Sequence, residues 1–145
     1  MTSPASGTDS QPTPLRFAYW VFVVGSVVML TSGMVGIFGT DAYAPHLSAQ
    51  QQDFLHRNTL FASVSNIVGA LVISSCAAQL AGGGKWSRRV ITVVSAYIMF
   101  VNIAAMAIGV GGLFLLAIPM VLMVGIFLMF RPACNEYVRE RNPRY

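Results

Sequence analysis

His46, Asp53 and His56 fall within eleven residues of one another, and imidazole with carboxylate is the donor set of zinc and copper sites. "SAQQ", Ser48 to Gln51, is a capping-box pattern that opens a helix at Ser48. Inside that helix Asp53 and His56 are i, i+3 neighbours on one face. A metal site wants three protein ligands held by outer partners, and His46 precedes the cap. The cluster therefore reads as a solvated polar face beside Phe54 and Leu55, and no metal ligand is assigned. A second stretch offers phosphate chemistry: "AQLAGGGKWSRRVITVVSAY", residues 78 to 97, has three glycines followed by three cations. A phosphate-cradling loop needs a glycine five residues before the Gly-Lys pair and a Ser or Thr after it. Here Gln79 and Trp86 stand at those places, so the stretch reads as a turn.

Other reactive groups are few. All five acids, Asp9, Asp41, Asp53, Glu136 and Glu140, lie outside the apolar runs. Proton-coupled carriers and pumps keep an ionisable group at depth, so that class is disfavoured. Cys76 and Cys134 read as a packing residue and a reduced thiol on one side of a membrane, without a disulfide. No catalytic residue and no cofactor is assigned.

The elements that carry these residues are membrane spans. Of 145 residues 55% are hydrophobic and 10% charged, against about 25% charged in a soluble domain. Four segments, 17–38, 59–80, 90–108 and 113–130, have the length and apolarity to cross a core of about 30 Å. The apolar run from Val90 to Phe130 is too long for one span, and "GVGG", Gly109 to Gly112, places its hairpin. Pro119 in span four predicts a kink. The fold class is all-α, a transmembrane four-helix bundle over 15–132, with a disordered Ser/Thr/Pro-rich tail at 1–14 and a C-terminal tail at 133–145. Ala42-Tyr43-Ala44 resembles a signal-peptidase site, but the preceding apolar stretch is too long for a signal core and a proline follows, so span one is retained.

Eight of the nine Lys and Arg residues collect on the side that holds both termini and the 81–89 loop; Arg57 is alone on the other. Positive-inside bias makes both termini cytoplasmic. Arg16, Lys85, Arg88, Arg89 and Arg131, with Trp20 and Trp86, would then sit at headgroup level, where each cation near anionic lipid is worth about 1 kcal/mol. Ordinary topology explains the same bias without a specific lipid. The pI near 9.5 follows from it, and no basic stripe with interleaved aromatics is present to track a nucleic acid.

Two strings carry a resemblance. "KWSRRVITVVSAY" is similar to a W-A-R-x-V-L-T-V-x-x-A pattern of small four-span membrane proteins of actinobacteria, through Trp86, Arg88, Val90, Thr92 and Val93. "RPACNEYV" resembles that family's P-A-x-N-x-Y-F ending, through Pro132, Ala133, Asn135 and Tyr137. Ser87, Arg89, Ile91, Glu136 and Val138 depart from the patterns, and the 40–57 loop has no counterpart. The resemblance implies a fold and a lineage, with no activity attached, and the location expected is the plasma membrane of a bacterium.

Packing residues are read from spacing. Ala62, Asn66, Ala70, Ser74 and Ala78 recur every four residues on span two; Ser95, Asn102, Ala105 and Gly109 follow helical spacing on span three. At about 1.5 Å per residue Asn66 lies roughly 12 Å below the outer end of its span and Asn102 roughly 18 Å above the inner end of its own, the same level in a core of about 30 Å. The two amides are expected to pair. Two function classes remain: a non-enzymatic accessory or assembly subunit of a larger membrane complex, partnered by membrane lipids and other membrane proteins, or a small oligomeric carrier or channel with an amide- and hydroxyl-lined path.

Overall fold

The computed structural model of the chain describes residues 11–39, 46–110, 112 and 114–142. Every element there is a helix: α1 (Thr13–Phe38), α2 (Ala49–Ala81), α3 (Lys85–Ala107), α4 (Phe114–Met129) and α5 (Pro132–Arg141). Three of them, α1, α2 and α3, are long and apolar enough to cross a membrane. A fourth crossing comes from α4 if it is taken with α5, from which it is bent by 63°. Contacts run around a ring, α1 on α2, α2 on α3, α3 on α4 and α4 back on α1, which makes an up-and-down four-helix bundle with α5 laid across one end.

Local sequence explains where each helix starts and stops. Pro12 caps α1 and Pro14 sits in its first turn, where a missing N–H costs nothing. Thr13 and Pro14, assigned to the tail from the sequence, are therefore helical, and the Gln11 amide donates to the Ala81 carbonyl at 2.9 Å. Residues 1–10 and the Ala42-Tyr43-Ala44 site lie outside the described residues. Ser48 and Gln51 form the full capping box, so α2 begins at Ala49 and runs unbroken through the expected span 59–80. The end of α2 and the end of α3 use the same device. Gly83 (φ +84°) and Gly109 (φ +82°) take the left-handed conformation that glycine alone adopts cheaply. Gly84 N–H then reaches the Gln79 carbonyl at 3.3 Å, and Val110 N–H reaches Ala105 at 2.9 Å, the long bond of a Schellman cap in each case. Val110 completes its cap by packing with Ala62, Val101 and Ala105. Pro119 is accommodated inside an unbroken α4.

Close approach of α1 to α2 depends on residues without side chains. A Cβ at Gly33 would lie 2.7 Å from the Ser63 carbonyl oxygen, and one at Gly36 would lie 1.9 Å from Ser63 Oγ. Small residues are what allow helices to approach where lipid removes the hydrophobic drive to associate. The core runs along the ring as Phe22 and Met29 of α1, Ile73 and Leu80 of α2, Ile91 and Ile98 of α3, and Ile118 and Leu122 of α4. Outward faces are apolar as well: Val35, Val68, Phe100 and Phe127 are each more than half exposed. Such a surface suits a hydrocarbon solvent and would be an aggregation hazard in water.

Candidate functional site

Asn66 and Asn102 meet at the α2–α3 contact. Asn66 Nδ2 donates to Asn102 Oδ1 at 3.2 Å, and Asn102 Nδ2 donates back to Asn66 Oδ1 at 2.8 Å and to the Ile98 carbonyl at 2.8 Å. Both are almost wholly buried, at 2% and 1% exposure. A lone amide facing hydrocarbon is costly, and two that satisfy each other are not. Ala62 and Ala70 share this buried face; Ser95 and Ala105 line it from α3.

Ser74 and Ala78 do not. Ser74 is half-buried and turns its hydroxyl back to the Leu71 carbonyl at 3.1 Å, and Ala78 is exposed. The face continues instead through Ile73, Ala77 and Leu80. A four-residue step advances about 40° beyond a full turn, so Ala78 stands about 120° around the helix from Asn66. Gly109, expected on the α3 face, is exposed and serves the cap.

Toward the N-terminal end of α2 from the amide pair, a cleft of about 380 Å³ opens between α1, α2 and the start of α4. Its walls are mostly apolar: of the Thr31, Ser32, Thr59 and Ser63 that border it, Thr31 and Thr59 turn their hydroxyls to the Val27 and Leu55 carbonyls at 2.9 Å, and Asn66 lies at its foot. Farther out, Asp53 forms an ion pair with Arg57 at 3.0 Å, both side chains exposed. His46 and His56 are exposed too, and no group of three or more potential metal donors occurs among the described residues.

The opposite end of the bundle is basic. Arg16, Lys85, Arg89, Arg131, Trp20 and Trp86 are all exposed there. Arg89 lies 5.7 Å from the Trp86 ring centre and Arg131 5.5 Å from that of Phe127. Arg88 differs from the others grouped with it as headgroup cations. It is half-buried, stacks 4.1 Å over the Phe130 ring, and its guanidinium donates to Asn135 Oδ1 on α5. Asn135 in turn donates to the Phe130 carbonyl at 3.2 Å. The two motif strings, 47 residues apart at this bond, are thus one structural unit.

Further bonds lock that end. Ser87 Oγ donates to Gln79 Oε1 at 3.0 Å across the α2–α3 turn, and Asn142 Nδ2 donates to the Gly83 carbonyl at 2.9 Å. Arg141 and Tyr137 pack over Gly83. Sequence reasoning missed the Arg88–Asn135 bond; its signal was that each residue belongs to one of the two motifs. Cys76 and Cys134 are both free thiols. Burial pushes the Cys134 thiol up from its ordinary pKa, against the pull of Arg88 and Arg131.

No family model, no curated protein and no solved structure matches this chain, so its function has to be argued from these contacts alone.

Proposed function

We propose that the protein is a non-enzymatic, multi-pass protein of a bacterial plasma membrane, with its basic end cytoplasmic, that packs beside a larger membrane protein as an accessory or assembly subunit of an envelope-building or respiratory complex. The reciprocal Asn66–Asn102 pair is the observation that carries this reading. The pair bonds internally, so its polarity serves to fix α2 on α3 and not to receive a solute. The described acids agree: Asp53, Glu136 and Glu140 are exposed at the two ends. Wide apolar outer faces offer a partner helix the same contacts that they offer lipid. Purification in mild detergent, followed by identification of co-purifying proteins, tests the reading. A stable stoichiometric membrane partner supports it, and solute flux through the purified protein in liposomes overturns it.

A small oligomeric carrier or channel is the second reading. The cleft of about 380 Å³ that ends on Asn66 favours it, because a path would need such a mouth, although its walls are mostly apolar. Bulky substitution at Ser32, on the cleft wall, abolishing a measured flux with no loss of protein would move the conclusion to this side.

A further inference from the structure

The basic end holds a cleft of about 960 Å³ between the start of α3 and α5. Lys85, Arg88, Arg89 and Arg139 line it, and no carboxylate does. None of these four cations makes an ion pair with a carboxylate among the described residues. Cations gathered around one hollow repel each other until an anion enters. Helix α3 begins beside them at Gly84 with no side-chain cap, so its positive end adds to the same field. Arg88 is fixed at the back by Asn135 and Phe130, and its Nε is buried without a hydrogen-bond partner.

Thr92, Asn135 and Asn142 also face the cleft, and Val93, Phe130 and Val138 form its apolar wall. Val93 follows Lys85 by eight residues, which along a helix places it about 12 Å deeper toward the hydrocarbon. Phe130 is also a wall of a second, apolar hollow of about 640 Å³ beside Met123, Ile126 and Phe127. A bare phosphate ion would leave most of the larger cleft empty. Cations in the first turns of α3, with Val93 one further turn, about 6 Å, below Arg89, match a molecule that is itself charged at one end and apolar at the other.

We propose that this cleft binds one phosphate-bearing amphiphile, its phosphate held by Lys85, Arg89 and Arg139 and its chain laid along Val93 and Phe130. The site is separate from the subunit role and stands whichever function reading holds. It also differs from the general attraction of a positive membrane face to acidic lipid, which Arg16 and Arg131 share and which has no fixed stoichiometry.

Native mass spectrometry of the full chain, delipidated and titrated in detergent micelles, provides the test. Phosphatidylglycerol, phosphatidylcholine and chain-free glycerol phosphate are the probes. The expected result is one retained phosphatidylglycerol, bound at least tenfold more tightly than phosphatidylcholine, with glycerol phosphate failing to compete at a hundredfold excess. The triple change Lys85→Gln, Arg89→Gln, Arg139→Gln should weaken retention tenfold or more, while Arg16→Gln with Arg131→Gln changes it less than twofold. Equal loss in the two variants overturns the proposal in favour of diffuse surface attraction. Effective competition by glycerol phosphate overturns it in favour of a soluble phosphate ligand. If the triple variant does not fold, Arg139→Gln on the exposed face of α5 carries the test alone: about threefold weakening is expected, and unchanged retention is the overturning result.

Discussion

Replacing Asn102 by leucine removes three hydrogen bonds at once, two to Asn66 and one to the Ile98 carbonyl. It also leaves the Asn66 amide, 2% exposed, without its partner inside an apolar bundle. An interhelical bond in a membrane is worth about 1 kcal/mol, and an orphaned buried amide adds a cost of about 1 kcal/mol or more. Asn102→Leu and Asn66→Leu should therefore each destabilise the bundle by about 2 kcal/mol. The double leucine variant leaves no orphan, so it should cost only about 1 kcal/mol where strict additivity gives about 4, a coupling of about 3 kcal/mol. Reversible unfolding in mixed detergent and SDS micelles, followed by far-ultraviolet circular dichroism, reads these differences. Val121→Leu, on the half-buried α1–α4 side, is the control and should shift stability by less than about 0.5 kcal/mol. Additivity of the two asparagine variants to within about 0.5 kcal/mol would refute the claim that the amides act as one contact.

Gly33→Ala should destabilise by about 1–3 kcal/mol, because the new methyl meets the Ser63 backbone, whereas Gly112→Ala meets nothing within 4 Å and should be neutral in the same assay. Cys134 should react with maleimide more slowly than Cys76 near neutral pH and gain rate as pH rises above the ordinary thiol range, since burial raises its pKa. The unfolded chain ionises that thiol first, so Cys134 should lower stability above that range and leave it unchanged below; a Cys134→Ala variant with the same alkaline profile would contradict this. A cysteine at Ala49 should be labelled by an impermeant reagent from outside intact cells, and labelling of the 82–85 turn from outside would invert the topology.

The amide pair was legible because depth along a straight helix is arithmetic: counting about 1.5 Å per residue set Asn66 and Asn102 at one level. The face around them was less so. A repeat of four is close to 3.6 only over two or three residues' worth of repeats, and it carried the reading onto Ser74 and Ala78 while Ile73 and Ala77 hold the true line. Both hairpins were marked by glycine clusters, and among the described residues Gly83 and Gly109 are the ones that take the left-handed backbone, a choice made by where each preceding helix runs out of partners. The Arg88–Asn135 bond left no trace beyond the membership of each residue in one of the two motifs. It depends on the 63° bend that folds α5 over the bundle end, and no spacing within either motif encodes that angle. The start of α2 was readable to the residue from Ser48 and Gln51, but its continuity with the span was not, because polar residues to Asn58 resemble a loop until packing extends the helix through them.

The unbroken length of α2 makes it a beam with a pivot. Its 33 residues extend about 50 Å, and the bond to Asn102 grips it near the middle. Ala49 is 17 residues from Asn66 and Ala81 is 15, arms of about 26 and 22 Å. Any tilt about the amides therefore displaces the two ends in opposite directions by nearly equal amounts. A sideways shift of 2 Å at the capped N-terminal tip would return about 1.7 Å at the glycine turn where Asn142 and Arg141 rest on Gly83. Taken as a rigid rod held at the amides, α2 would carry a displacement at one end to the other almost undiminished.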